Sequence, residues 1–139
     1  MPNRNRTLLA SLVLTAAVLL AYGAVWFFDF VRYDDGSHVF DNTHIASGLS
    51  AENVRWAFGS FNAGQWLPLT WLSFMLDVSI FGLRPGAMHG MNVVLHATNV
   101  LLLFTLLRRM TGQFWHSFAV AALFALHPCL LYTSDAADE

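Results

Sequence analysis

The sequence predicts an all-α membrane protein fragment: transmembrane helices joined by an outer loop that carries short surface (juxtamembrane) helices. Three observations predict it. The 139 residues are 56% hydrophobic and only 12% charged, about half the charged share of an ordinary soluble domain. The apolar residues gather in long runs. Arg4, Arg6, Arg108 and Arg109 stand at the ends of those runs, and every basic residue in the chain is Arg. No basic patch is dense enough to suggest a nucleic-acid partner.

Residues 7–28 carry no charge. At 1.5 Å per residue, about 20 apolar residues cross the hydrocarbon core, so this run reads as the first span. A cleaved signal peptide is the rival reading, with small residues near Ala21-Tyr22-Gly23-Ala24. The run is long for that role and closes on Trp26-Phe27-Phe28, an aromatic belt typical of a membrane interface. Arg4 and Arg6 precede it, and the positive-inside rule then sets the N-terminus in the cytoplasm.

Residues 29–86 are mixed in composition and form the outer loop. Turn signals stand at Asp35-Gly36, Asn62-Ala63-Gly64 and Arg84-Pro85-Gly86. Ser50 ahead of Asn53 marks a helix start, with the helix over 51–58. Residues 68–81 open on Pro68, which suits a first helical turn. They are apolar, but about 14 residues fall short of a crossing, and Asp77 lies among them. The spacing predicts a helix lying against the membrane surface. Trp56, Trp66 and Trp71 serve this loop as interfacial anchors or as platforms for a sugar; the anchor reading needs less.

The second span covers 88–107 and ends on Arg108-Arg109. If the helix over 68–81 does not cross, this span returns to the cytoplasm and both cytoplasmic ends are basic. Thr111-Gly112 is a turn, and a third span begins over 114–128. No internal repeat is visible. From Cys129 to Glu139 the apolar pattern stops, and the string resembles a translated transposase-type sequencing adapter. We read 129–139 as non-native read-through. Without it the formal charge moves from −2 to +1. The single cysteine, Cys129, offers no internal disulfide.

Two constellations could carry chemistry. Asp34 and Asp35 sit just beyond the first span. Adjacent carboxylates at a low-dielectric boundary repel and resist ionisation, which raises a carboxylate's pKa toward useful proton exchange. A general base held over a membrane surface suits transfer from a lipid-linked donor. Asp-Asp-Gly is equally ordinary turn chemistry. The second constellation is a polar stripe in the second span. His89, Asn92, His96 and Asn99 fall within about 80° of helical arc. Such side chains are costly in lipid and turn toward protein or a water-filled cavity, as interhelical bonds or as a site lining. His38 and His44 with Asp34, Asp35 and Asp41 could assemble around a divalent metal, but no metal-ligand spacing supports it.

The series Phe30-Val31-x-Tyr33-Asp34-Asp35, Asn42-x-His44, Arg55-Trp56-Ala57-Phe58 and Trp66-x-Pro68-Leu69-Thr70-Trp71 runs on through His89-x-x-Asn92-x-x-x-His96. It is similar to GT-C-type membrane glycosyltransferases related to protein O-mannosyltransferases, a bacterial group often bearing C-terminal tetratricopeptide repeats. The resemblance covers about 30–128. It implies a multi-pass protein of the bacterial cytoplasmic membrane with residues 29–86 on the outer face. It implies a polyprenyl-phosphate-linked sugar as donor, a hexose such as mannose, and a protein or other outer-face acceptor. Asp34 and Asp35 match the acidic pair, with Asp34 favoured as base and inversion at the anomeric carbon. Tyr33, Asn42, His44, Trp66, Pro68, His89, Asn92 and His96 are the substrate-binding candidates. No cofactor is firmly implied. The chain departs from the pattern at Leu67, Phe74 and Met88, where members of the group commonly carry His. The competing expectations are a transport or ion-pathway subunit and a non-catalytic anchor for interaction repeats.

Overall fold

The computed structural model describes residues 4–29, 39, 41–61 and 64–127. Among these there are helices and no strand, in the order α1 (Arg4–Tyr22), a 3-10 turn (Gly23–Phe27), α2 (Thr43–Ala46), α3 (Ala51–Gly59), α4 (Pro68–Phe81), α5 (Pro85–Thr111) and α6 (Phe114–Leu126). The all-α expectation holds. The helices fall into two compact units, Met1–Val25 with Gly90–Glu139, and Trp26–His89.

The first unit is built from apolar stripes. Ala10, Leu14 and Val18 of α1 are buried, one residue per turn. On α6 the buried row is Ser117, Ala121 and Ala125, again four apart. Small residues at that spacing let two helix backbones approach closely, and α1 packs on α6. From α5 come Val93, His96, Val100 and Phe104. Phe104 meets Phe114 and Phe118 edge-on, with ring centroids 5.8 and 6.3 Å apart, the arrangement that ring quadrupoles favour. Arg108 closes this end: its guanidinium lies 5.8 Å from the Phe114 ring centroid and donates to the Thr7 hydroxyl.

The outward faces of this unit are apolar too. Leu8, Leu9, Leu12 and Leu20 of α1 are exposed, as are Leu102 and Leu106 of α5. A helix that is hydrophobic all round belongs in a protein core or in lipid. Residues Arg4–Phe27 and Pro85–Thr111 are each long and apolar enough to cross a membrane, and little of their surface is covered by protein. The chain is a membrane protein.

The second unit uses short helices with explicit ends. Asn42 caps α2, its Oδ1 accepting from the His44 backbone N–H at 3.1 Å. Ser50 caps α3 by accepting from the Asn53 N–H at 3.1 Å. Such bonds satisfy donors that a helix start leaves open. Pro68 opens α4, where its missing N–H costs nothing. Ile45, Ala57, Trp71, Met75 and Met88 form the core, with Trp56 packed against it. Ser79 ties α4 to the connection between α2 and α3: its Oγ accepts from the Leu49 N–H at 2.7 Å and donates to the Met75 carbonyl at 2.8 Å.

Two local readings change. Arg84-Pro85-Gly86 is not a free-standing turn; Pro85 is the first residue of α5. Residues 43–46, unassigned in sequence, form the single turn of α2.

Candidate functional site

Tyr33, Asp34 and Asp35, together with His38, lie outside the described residues. The remaining candidates fall into three groups. Asn42 and His44 belong to one hydrogen-bonded cluster in the second unit. Trp66, Pro68 and His89 lie in the same unit but outside that cluster, and Asn92 and His96 belong to the first unit.

The cluster is centred on Asn53, which is 5% exposed. Its Nδ2 donates to the Gly48 carbonyl at 2.6 Å and to Ser47 Oγ at 3.0 Å. A carbonyl can only accept, so the amide nitrogen must face Gly48. Oδ1 then faces the His44 ring, with Nδ1 at 2.9 Å. An amide oxygen cannot donate, so Nδ1 carries the proton, and in the uncharged ring Nε2 is the acceptor. Nε2 makes no hydrogen bond among the described residues. The ring face is fixed as well: it stacks on Trp56 at 4.7 Å with 16° between planes. Trp56 in turn rests on Trp71 at 5.0 Å, and Trp71 is fully buried.

Trp66 is half exposed and donates its indole N–H to the Phe58 carbonyl at 3.1 Å. That bond fixes the ring at the end of α3. Pro68 is buried at the start of α4. His89 is half-buried near the start of α5, while Asn92 is exposed. His96 is buried, and its Nε2 lies 3.2 Å from the Ala125 carbonyl. The carbonyl accepts, so Nε2 is protonated here. The ring also meets Tyr22 edge-on at 5.5 Å, and the Tyr22 hydroxyl donates to the His127 carbonyl at 3.0 Å. Two side chains from α1 and α5 thereby satisfy carbonyls at the end of α6 that lack helical partners. Thus the polar stripe does not turn inward as one piece. His96 packs against α6 while Asn92 and Asn99 remain uncovered by the described residues.

Sequence reasoning used Asp77 only as an argument against a membrane crossing and gave it no place among the site candidates. On α4 it stands two residues, about 200° of turn, beyond Met75, so it faces away from the Trp71–Met75 side. It is nevertheless 4% exposed. Burial pushes its carboxyl above the usual carboxylate range. No described residue donates a hydrogen bond to it. The available signal was a lone carboxylate within an otherwise uncharged 14-residue helix. Among the described residues no group of three His, Cys, Asp or Glu side chains gathers closely enough to hold a metal. A shallow, largely apolar depression of about 330 Å³ lies at the α5–α6 turn, lined by Leu107, Thr111, Gln113, His116, Ser117 and Val120. None of the candidate residues lines it.

The class these features define is a helical membrane protein in which a capped, aromatic-rich set of short helices falls, in chain order, between two span-length helices. Comparison with known proteins relates it to a glycosyltransferase family. The chain is 29% identical to Protein O-mannosyl-transferase TMTC1 of Mus musculus over an alignment of 131 positions that covers 86% of the chain. It is 31% identical over 103 residues, 69% of its length, to Protein O-mannosyl-transferase Tmtc1 of Drosophila melanogaster. To TMTC1 of Homo sapiens it is 28% identical over 133 residues. The chain spans 12 to 14% of the length of these relatives. No family model and no solved structure matches it.

Proposed function

We propose that the chain is part of a membrane glycosyltransferase that moves a hexose, mannose in the first instance, from a polyprenyl-phosphate donor to a hydroxyl of a protein or other outer-face acceptor. The similarity to proteins named as O-mannosyl-transferases, running along 86% of the chain, carries this reading. Two span-length helices suit such a donor, because its lipid tail confines it to the bilayer.

In this reading Asp34 takes the proton of the acceptor hydroxyl as that oxygen attacks the anomeric carbon. The bond from the anomeric carbon to the phosphate oxygen breaks, and the polyprenyl phosphate leaves with the electron pair. Displacement assisted by one base inverts the centre. Asp35 orients the acceptor or raises the base's pKa. Arg4, Arg6, Arg108 and Arg109 mark the cytoplasmic side, with residues 29–86 on the outer face. Within that loop α4, with Leu69, Leu76 and Ile80 exposed, lies along the membrane surface.

The test is Asp34→Asn in a full-length protein carrying this segment, assayed with polyprenyl-phosphate mannose and a Ser/Thr peptide. We expect transfer to fall by about 100-fold or more, the usual weight of a general base. A transport subunit or a membrane anchor would show no such activity to lose. If Asp34→Asn and Asp35→Asn both leave transfer intact, the assignment of the base is wrong.

A further inference from the structure

His44 is held more firmly than a space-filling ring requires. Its backbone N–H is fixed by Asn42, its Nδ1–H by Asn53 and its face by Trp56. Asn53 is itself locked by bonds to Ser47, Gly48 and Ser50. Packing alone needs none of this, since a phenyl ring would stack on Trp56 without demanding a buried amide as partner. What the arrangement secures is the tautomer and direction of a single lone pair, that of Nε2. Supporting bonds that fix one ring nitrogen so that the other meets a ligand are a recurrent way to hold a working histidine.

We propose that His44 is a substrate-positioning residue whose Nε2 accepts a hydrogen bond from a substrate hydroxyl, on the sugar ring of the donor or on the acceptor. The proposal rests on the glycosyl-transfer reading above and goes further by giving one binding candidate a specific atom, Nε2, and a specific partner, a substrate hydroxyl. A ring nitrogen with a free lone pair pairs with O–H rather than with phosphate oxygens or carbonyls, and O–H is the group that both substrates of such a reaction carry.

The experiment compares wild type, His44→Asn and His44→Gln in the full-length protein, with polyprenyl-phosphate mannose and a Ser/Thr peptide varied in turn. Asn keeps a donor where Nδ1 stood and removes the acceptor at Nε2. Gln reaches the Nε2 position with an amide oxygen. We expect His44→Asn to unfold at the wild-type temperature while kcat/KM falls about tenfold, mainly through KM, the weight of one neutral hydrogen bond. His44→Gln should recover much of that loss. A KM rise toward the lipid donor places the hydroxyl on the sugar, and a rise toward the peptide places it on the acceptor. Unchanged kinetics of His44→Asn beside an active wild type overturn the proposal. So does an equal loss in both variants, whether with lowered unfolding temperature, which makes the role structural, or without rescue by Gln, which points to metal ligation. A wild type inactive with both substrates overturns the glycosyl-transfer reading itself, and the proposal with it.

Discussion

In the unit that pairs α1 with α6, the buried side chains of those two helices are Ala10, Leu14, Val18, Ser117, Ala121 and Ala125. Around α2, α3 and α4 they include Ile45, Asn53, Ala57, Trp71 and Asp77. The first set is held by shape. Its side chains are small or aliphatic, and the one hydroxyl, Ser117, bonds back to Gln113 in its own first turn at 2.6 Å. In lipid there is little hydrophobic drive between helices, so close packing has to supply the association. The second set is held by directed bonds and by backbone fit. Its helices are too short to persist alone; Asn42 and Ser50 cap the starts of α2 and α3, and Pro68 opens α4 without a side-chain cap. The difference predicts where each unit is fragile: the first to changes of volume, the second to loss of single polar atoms or of glycine.

Gly86 gives the largest expected effect. A Cβ at this position would overlap the carbonyl oxygen of Trp26, and neither partner is a flexible side-chain end. Gly86→Ala should destabilise the protein by about 2 to 4 kcal/mol, as overpacking against backbone does. Chemical unfolding in detergent measures it. Gly23→Ala is the control, because a Cβ there meets nothing within 4 Å. If the two glycine variants unfold alike, backbone fit is not what holds this unit.

The next effect sets one unit against the other directly. Asn53→Ala removes four side-chain-dependent features at once: the bonds to His44, Ser47 and Gly48, and the orientation of the His44 ring. The buried Gly48 carbonyl is left unpaired, so a loss of about 2 to 3 kcal/mol is expected. Ser117→Ala in the other unit removes the bond to Gln113 and a longer contact with Thr111 Oγ1 at 3.5 Å, and substitutes a better helix former, which should change stability by under about 0.5 kcal/mol. Equal effects would erase the contrast between the two units.

The long helices were legible in the sequence because hydropathy over twenty residues is a strong signal, and Pro68 marked α4 as Ser50 marked α3. Helix α2 was not, since four residues hold no period; only Asn42, as a cap without a visible helix behind it, hinted at it. Pro85 misled because Pro at a turn and Pro at a first helical position look alike. On α5 the spacing of His89, Asn92, His96 and Asn99 correctly placed them on one arc. Spacing cannot say which neighbour covers which part of the arc: His96 meets α6, while Asn92 and Asn99 stay exposed. The fixed tautomer of His44 depends on an amide nine residues away whose own direction is set by a carbonyl, a chain of dependence no linear pattern displays. Asp34 and Asp35 rest on the sequence alone.

Asp77 is the smallest expected effect and tests whether it belongs with Asn53, whose side chain is tied, or with Ser60 Oγ and Trp71 Nε1, which are buried without a hydrogen-bond partner among the described residues. It is buried, yet no described residue bonds to it, and burial holds its carboxyl above the usual range. An acid bound more tightly by its proton in the folded state stabilises the fold when protonated. That contribution is whole below the ordinary carboxylate value and is lost as pH rises through the interval up to the raised one. Wild type should therefore unfold less readily as pH falls through that interval, and Asp77→Asn should remove the dependence while matching or exceeding wild-type stability at neutral pH. The readout is unfolding of both proteins across the acidic range. A variant less stable than wild type at neutral pH would mean that the ionised carboxylate has a partner after all, and Asp77 would join Asn53 among the tied polar groups instead of standing with Ser60 Oγ and Trp71 Nε1.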